Sequence, residues 1–220
     1  MLHQNKILIT DSEFLAMLAH DMKTPVKAQI IALKLLYSGA FGTFGKEANN
    51  IILNIIASNK YLQLLLDNIL GDYRINKGKI NLNKTKNDIR KTLEDSIKNI
   101  GILFESKEQI VEVNYIADDF IKLYDEIEMQ RVVINLLSNA CEYSSENSKI
   151  NVTVKSKGSF LAVEIKSKMK FYNGESAICK KKTGTGLGLK ICKKIIEAHN
   201  GNFYKEKNAD KEFIITFELP

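Results

Sequence analysis

Apolar residues recur every three or four positions through the first third of the chain. They form one stripe, and after a glycine-rich interruption at residues 38–46 a second stripe begins. This spacing is that of amphipathic helices, so the pattern predicts two long helices joined by a turn. The first stripe comprises Leu15, Leu18, Met22, Val26, Ile30 and Leu33, and the second comprises Ala48, Ile52, Ile55, Asn59, Leu62, Leu66 and Ile69. Because one hairpin cannot bury both stripes, we expect a homodimer whose hairpins form a four-helix bundle.

The pattern changes after Gly71, where strand-like alternation and helical periodicity follow one another. It predicts strands at 77–84, 110–116 and 212–220, a β-hairpin at 149–168, and helices at 87–107, 126–143 and 187–199. Helices mixed with antiparallel strands indicate an α+β fold. We therefore divide the chain into an N-terminal tail at 1–11, a helical domain at 12–76 and an α+β domain at 77–220.

Composition and charge exclude several classes of protein for this chain. The chain has 220 residues, 45% of them hydrophobic, and lacks any run of about eighteen apolar residues that could span a membrane. No secretory leader pattern opens the sequence, and three cysteines without a C-x-x-C spacing favour reduced thiols in the cytoplasm. The net charge of +6 is spread along the chain without an aromatic-rich basic strand. We therefore expect no nucleic-acid partner.

His20 is a polar residue within the first predicted helix. At about 100° per residue its side chain lies about 200° from Leu18 and from Met22, so it faces away from the stripe. Asp21 follows directly, and a carboxylate beside an exposed imidazole can hold one ring nitrogen while the other acts as a nucleophile. An ordinary surface histidine would account for the imidazole alone. It would not account for Pro25, which should loosen or bend the helix one turn below and costs ~3 kcal/mol inside a helix.

The residues around His20 resemble the phosphoacceptor box of sensor histidine kinases, F-x-A-x-x-x-H-[ED]-x-[RK]-T-P. The matching positions are Phe14, Ala16, His20, Asp21, Lys23, Thr24 and Pro25. The resemblance implies that His20 accepts a phosphoryl group, that Asp21 is its general base, and that the partner is a response-regulator receiver domain. It also implies that Asp21 and Thr24 help the bound regulator to lose its phosphate.

A second motif lies on the helix predicted at 126–143. Asn135 and Asn139 are one turn apart among apolar residues, where amides need polar partners. Two surface asparagines would explain the pattern, and so would hydrated magnesium with phosphate oxygens, because amide oxygens suit hard cations. The stretch through Tyr143 resembles the N box of the GHKL ATPases. That implies Asn135 as a magnesium ligand, Asn139 near the phosphates and Tyr143 against the adenine.

Three glycines precede or open the last predicted helix. Glycine lets backbone N–H groups approach an anion, and a helix N-terminus favours negative charge. The sequence TGTGLGL resembles the second glycine box of the same kinases. The resemblance implies ATP with Mg²⁺ as the bound nucleotide, held in an α/β-sandwich domain of the GHKL type. The implied phosphate-binding residues are Gly184, Gly186, Leu187 and Gly188.

The chain departs from the family pattern at three places. Ser167 stands where the D-x-G-x-G box has its adenine-reading aspartate, and residues 168–183 are too few for a full lid. Glu142 replaces the customary basic residue of the N box, which we expect to put a negative charge near the phosphates. Two functions therefore remain open. One is an active histidine kinase core, and the other is a catalytically degenerate dimeric docking or phosphotransfer module with weak or no ATP binding.

Overall fold

The structure, a computed structural model, describes residues 10–76, 82–168, 171–172, 175–176, 187–208 and 212–220. Within these residues a helical hairpin is followed by an α+β sandwich domain, which confirms the predicted fold class. Among the residues that the structure describes, none of the helices has the length and apolar character of a membrane span.

Two long helices form the hairpin, α1 (Asp11–Tyr37) and α2 (Lys46–Asn76). A capping box starts α1, because the Thr10 hydroxyl accepts from the N–H of Glu13 while the Glu13 carboxylate accepts from the N–H of Thr10. The helix continues through Pro25 as one element. The proline therefore does not break α1.

The hairpin buries only part of its apolar surface. The side chains between the two helices include Ala19, Val26, Ile30 and Leu66. Leu15, Leu18 and Met22 remain 52%, 43% and 47% exposed. These three therefore lie beside the α1–α2 contact rather than inside it, and they leave an apolar strip on the outside of α1.

A five-stranded sheet with the order β2-β4-β5-β9-β8 supports the second domain. Its strands are β2 (Ile110–Ile116), β4 (Lys149–Lys157), β5 (Phe160–Lys168), β8 (Asn202–Lys207) and β9 (Glu212–Leu219). The β2–β4 pair is parallel and the others are antiparallel. The predicted hairpin of β4 and β5 turns at Gly158, whose φ of 61° is readily adopted by glycine.

Among the described residues, three helices belong to this domain: α3 (Ile89–Glu105), α4 (Glu126–Tyr143) and α5 (Leu187–Ala198). One face of the sheet packs against them and forms the main core with their buried sides. The largest contribution of α4 comes from Val132, Val133, Leu136 and Leu137, none of which is exposed. Two short antiparallel pairs complete the domain, β1 (Thr85–Asp88) with β3 (Ile121–Tyr124) and β6 (Phe171–Tyr172) with β7 (Glu175–Ser176).

The strand predicted at 77–84 is wrong where the structure describes it. Residues 82–84 are not in a strand, residues 77–81 lie outside the described part, and β1 begins only at Thr85. The helix predicted from residue 87 also begins later, at Ile89, because the Asp88 carboxylate accepts from the N–H of Arg90 and caps α3 there. Residues 85–88 are therefore free to form a strand. The backbone just before that cap pairs with β3. Neither β3 nor the polar edge strand β8 was predicted, because β3 has only four residues and β8 carries mostly polar ones.

Candidate functional site

His20 lies on the outer surface of α1. Its side chain and that of Asp21 are each 76% exposed, and Nδ1 of His20 lies 3.2 Å from Oδ1 of Asp21. Because an ionised carboxylate only accepts hydrogen bonds, this contact favours the tautomer with the proton on Nδ1. The lone pair is then on Nε2, which is the nitrogen available for nucleophilic attack.

The residues one turn beyond His20 point in two directions. Thr24 is exposed on the outer face of α1, as is Lys27. Lys23 instead faces α2, where its Nζ lies 2.5 Å from Oδ1 of Asp67. This ion pair therefore joins the two helices of the hairpin close to His20.

Both ends of α4 are fixed by hydrogen bonds. At the start the Asp125 carboxylate accepts from the N–H groups of Ile127 and Glu128, each at 3.1 Å. At the end the Gln109 amide donates to the carbonyl of Cys141 at 3.2 Å. The helix that carries Asn135 and Asn139 is thereby held against the rest of the domain.

Asn135 and Asn139 converge on the first turn of α5. A methyl group added at Gly188 would lie 3.9 Å from Nδ2 of Asn139 and 4.0 Å from Oδ1 of Asn135. Asn135 is 3% exposed, and its Nδ2 is buried without a hydrogen-bond partner within the described residues. A buried polar group without a partner costs roughly 1–3 kcal/mol. Phosphate oxygens would accept from this Nδ2, and amide oxygens such as Oδ1 suit a hard cation, so these residues fit a magnesium nucleotide.

Two buried cysteines lie on these helices, Cys141 on α4 and Cys192 on α5. Burial raises the pKa of the Cys192 thiol to about 12, against a smaller opposing effect of Arg131. Burial likewise raises the pKa of Cys141 to about 11. Both thiols therefore stay protonated near neutral pH and act as packing groups rather than nucleophiles. Cys179 lies outside the described residues.

The two residues predicted on the adenine side occupy α4 and β5. Tyr143 is the last residue of α4 and is half-buried. Ser167 lies near the end of β5 between Ile150 and Phe213 on the neighbouring strands. It is 3% exposed and belongs to the buried alternation of β5, on the side of the sheet that the helices cover.

The predicted phosphate-binding segment is described only in part. Leu187 and Gly188 form the first turn of α5, as predicted. Gly184 and Gly186 lie outside the described residues, and so does most of the segment at 168–183 that was expected to be too short for a lid. Their roles stay predictions.

Glu142 has a partner that the sequence analysis missed. Lys107, just after α3, places its Nζ 3.3 Å from Oε2 of Glu142 and also donates to the carbonyl of Cys141 at 3.0 Å. Lys107 therefore compensates the negative charge of Glu142, and the expected position of that charge near the phosphates stays a prediction. The two residues are 35 positions apart, so no local pattern could have revealed the pair.

The second domain packs directly against α2. The Arg131 guanidinium donates from Nη2 to the carbonyl oxygen of Asp67 at 2.6 Å. Gly71 permits this approach, because a Cβ atom there would lie 1.4 Å from Nη2 of Arg131. A second contact runs from Nζ of Lys60 to Oδ1 of Asn99 at 2.9 Å.

A cavity of about 270 Å³ lies between the hairpin and the helices α3 and α4. Its wall includes Lys23 and Asp67 from the hairpin and Arg131 and Asn135 from α4. Lys23 is one turn from His20, whereas Asn135 belongs to the predicted magnesium site. The two candidate sites therefore border the same interdomain space.

Two families match this chain. Residues 10–78 match the His Kinase A phosphoacceptor domain, and residues 124–220 match the family described as histidine kinase-, DNA gyrase B- and HSP90-like ATPase. The chain belongs to the sensor histidine kinases. The first match contains His20 and the second contains the helices α4 and α5, so each candidate site falls in the domain that the family assigns to it.

Known proteins resemble this kinase core over most of its length. The sensor protein VanS of Enterococcus faecium is 29% identical over 217 residues, which is 92% of this chain and 55% of VanS. Across eight curated relatives the chain spans 19% to 59% of the relative's length. The kinase core thus corresponds to one portion of those longer proteins.

Solved structures share the fold of this kinase core. Full-length ShkA in complex with AMPPNP has a TM-score of 0.64 at 19% identity, covering 96% of this chain and 46% of that one. ThkA in complex with the response regulator protein TrrA has a TM-score of 0.54 at 22% identity, covering 91% of this chain and 61% of that one. At such identities the likeness shows the fold alone.

Proposed function

We propose that this chain is the catalytic core of a two-component histidine kinase, which moves a phosphoryl group from ATP to His20 and then to an aspartate of a response-regulator receiver domain. One observation carries the proposal. The exposed pair of His20 and Asp21 stands on a hairpin that packs against the domain in which Asn135 and Gly188 converge. A nucleophile and a phosphate-binding arrangement are thus combined in one chain.

The chemistry at His20 follows from its contact with Asp21. The lone pair of Nε2 forms a bond to the γ-phosphorus, and the bond from that phosphorus to the β,γ-bridging oxygen breaks, so that ADP leaves. The ring becomes positive as the new bond forms, and the Asp21 carboxylate beside Nδ1 stabilises that charge or accepts the proton. In the second step the phosphoryl group passes to the receiver's carboxylate, and His20 returns to its neutral form.

The nucleotide would be held by residues of α4, β5 and α5. Asn135 would bind hydrated Mg²⁺, which when bound neutralises phosphate charge. The phosphates would lie against Asn139 and the backbone at Gly184, Gly186, Leu187 and Gly188, with Tyr143 and Ser167 on the adenine side. The unpartnered Nδ2 of Asn135, a donor that a phosphate oxygen would satisfy, supports a nucleotide at this place, as does the position of Gly188 at a helix N-terminus.

The proposed kinase is a homodimer through its hairpins. The exposed Leu15, Leu18 and Met22 form an apolar strip that a second hairpin would cover, giving a four-helix bundle. Light scattering at micromolar concentration should give twice the chain mass. A stable monomer would contradict the dimer but not the fold.

The proposed partner is a response-regulator receiver domain. Such a domain would dock beside His20, where Asp21 and Thr24 are exposed on the same helix. The complex of ThkA with a response regulator, a neighbour in fold, supports this type of partner.

Incubation with γ-labelled ATP and Mg²⁺ tests the proposal. We expect acid-labile label on the chain, its loss in His20→Gln, and its transfer to a receiver domain. His3→Gln is the matched control and should label like the native chain. Label that survives His20→Gln would show that another residue accepts the phosphoryl group.

The second candidate is a degenerate docking or phosphotransfer module. The observation that favours it is Ser167, a buried hydroxyl where a carboxylate is expected. Such a module would bind a receiver domain and accept a phosphoryl group back from it, yet would bind ATP weakly or not at all. Label on His20 from a phosphorylated receiver domain, but not from ATP, would identify this function.

A further inference from the structure

Asn68, on α2, reaches the predicted phosphate site of the other domain. Its Nδ2 lies 3.5 Å from the position that a methyl group on Gly188 would take, closer than either asparagine of α4. An amide of the helical hairpin therefore stands among the residues Asn135, Asn139 and Gly188. Neither the motifs nor the proposed reaction gives it a role.

This contact leaves two amide atoms without partners. Oδ1 of Asn68 and Nδ2 of Asn135 are both buried and, among the described residues, form no hydrogen bond. One is an acceptor and the other a donor, yet they do not pair with each other. Each would regain a partner in water if α2 moved away, so both disfavour the docked arrangement.

Other contacts favour the docked arrangement. Arg131 donates to the carbonyl of Asp67, and its guanidinium fits against the backbone only because residue 71 is glycine. Asp67 is itself fixed by the ion pair with Lys23. We call the contact of Arg131 with Asp67 and Gly71 the latch. The latch favours the docked position of Asn68, whereas the two unpartnered amide atoms disfavour it. A contact with such opposing contributions is expected to be reversible.

We propose that the latch and the magnesium nucleotide compete, because docked Asn68 occupies space that the phosphates need beside Gly188. Asn68 lies on the side of Gly188 to which Asn135 and Asn139 also turn, so it takes room that a hydrated magnesium ion bound by Asn135 would need. Nucleotide binding therefore releases α2, and docking of α2 lowers nucleotide affinity by the same factor. The inference rests on the proposed function only in taking a magnesium nucleotide as the ligand.

Gly71→Ala tests the latch in the full chain. The added methyl group displaces the Arg131 guanidinium from Asp67, while alanine favours the helical conformation of α2 itself. Gly101→Ala is the matched control, since it puts a methyl group into open space on α3. We expect calorimetry with Mg²⁺ and AMPPNP to show about tenfold tighter binding for Gly71→Ala, within the usual range for coupled sites, and no change for Gly101→Ala.

Asn68→Ala and Asn68→Leu separate the two ways in which Asn68 could act. If the side chain blocks the phosphates, Asn68→Ala should also bind the nucleotide about tenfold more tightly, again the usual scale of coupling. Asn68→Leu keeps a branched side chain of four heavy atoms and removes the amide, so it should bind the nucleotide no more tightly than the native chain. Weaker binding by Asn68→Ala would show that Asn68 is a ligand of the nucleotide, which would overturn the inference.

Hydrogen exchange supplies a readout that needs no catalysis. Tertiary packing protects the end of α2, so release of the latch should speed exchange at residues 64–71. We expect faster exchange there in Gly71→Ala without nucleotide, and in the native chain when AMPPNP and Mg²⁺ are added. Binding that neither substitution alters would overturn the inference alone. Failure of the native chain and all variants to bind nucleotide would overturn the proposed kinase function, and the inference with it.

Discussion

Nε2 of His199 accepts a hydrogen bond of 2.9 Å from the backbone N–H of Asp125. The other ring nitrogen, Nδ1, lies 2.8 Å from the carbonyl oxygen of Ile195 and therefore donates. His199 is thus a neutral imidazole that joins the end of α5 to the start of α4. These are the two helices on which Gly188 and Asn135 meet, so the histidine fixes the walls of the proposed nucleotide site relative to each other.

We predict that His199 makes the stability of the domain depend on pH. Burial lowers its pKa, with a further lowering by Lys84 and an opposing effect of the Ile195 carbonyl. Above the ordinary value of about 6.5 the stabilisation is fully present. As pH falls from there through the lower folded pKa, the unfolded chain binds the proton first and stability declines. Denaturant midpoints at pH 7.5 and pH 5 would measure this loss.

Two substitutions check the assignment to His199. His199→Leu leaves the Asp125 N–H without an acceptor and should lower the free energy of unfolding by roughly 1–3 kcal/mol at pH 7.5. The substitution should also make the loss of stability between pH 7.5 and pH 5 smaller. His20→Gln is the control, because His20 is 76% exposed on α1 and takes no part in the contact between α4 and α5. A native pH dependence that persists unchanged in His199→Leu would contradict the prediction.

Local sequence predicted the positions of His20, Asn135 and Ser167 because each lies in an element with a strong period. The helix stripe placed His20 outside and the predicted hairpin at 149–168 placed Ser167 in a strand, and the structure adds that Ser167 is on the buried side of β5. What could not be predicted are contacts between distant segments. Lys107 with Glu142 is one case, and the approach of Asn68 to Gly188 is another. Such pairs depend on how whole helices pack, which no short window of sequence encodes.

Restoring the family's basic residue at position 142 should not help this chain. Glu142→Lys would set two ammonium groups side by side, because Nζ of Lys107 already lies beside the side chain of residue 142. We expect a loss of about 1 kcal/mol in the free energy of unfolding, at the upper end for a partly exposed ion pair. The double substitution Lys107→Glu with Glu142→Lys should recover most of it. Urea denaturation of the four variants of this cycle would measure the coupling, and strict additivity would refute the pairing.

Thr24 should matter for dephosphorylation more than for phosphorylation. It lies one turn from His20 on the exposed face, where it can orient a water toward the phosphoaspartate of a docked regulator. We expect Thr24→Ala to lower phosphatase activity about tenfold or more, the scale of a lost positioning group, and to spare labelling of His20. Thr24→Ser is the matched control, since it retains the hydroxyl. Equal loss of both activities in Thr24→Ala would show that Thr24 only supports the helix.

Ser167 should make nucleotide binding weak and poorly selective. A hydroxyl both donates and accepts, so it cannot distinguish the adenine amino group from the guanine carbonyl as a fixed carboxylate can. We expect a dissociation constant of about 100 µM or poorer for ATP, which is roughly 5.5 kcal/mol of binding free energy. Calorimetry should show a similar value for GTP.

Ser167→Asp should reverse this weakness while lowering the stability of the nucleotide-free chain. The position is 3% exposed between Ile150 and Phe213, so a carboxylate there loses hydration unless a ligand satisfies it. We therefore expect about tenfold tighter ATP binding, equal to ~1.4 kcal/mol, no gain for GTP, and a lower denaturation midpoint without nucleotide. Ser167→Asn is the matched control, because its amide lacks the charge. Tight and ATP-selective binding by the native chain would mean that another residue already reads the adenine, whereas no binding even by Ser167→Asp would favour the docking module.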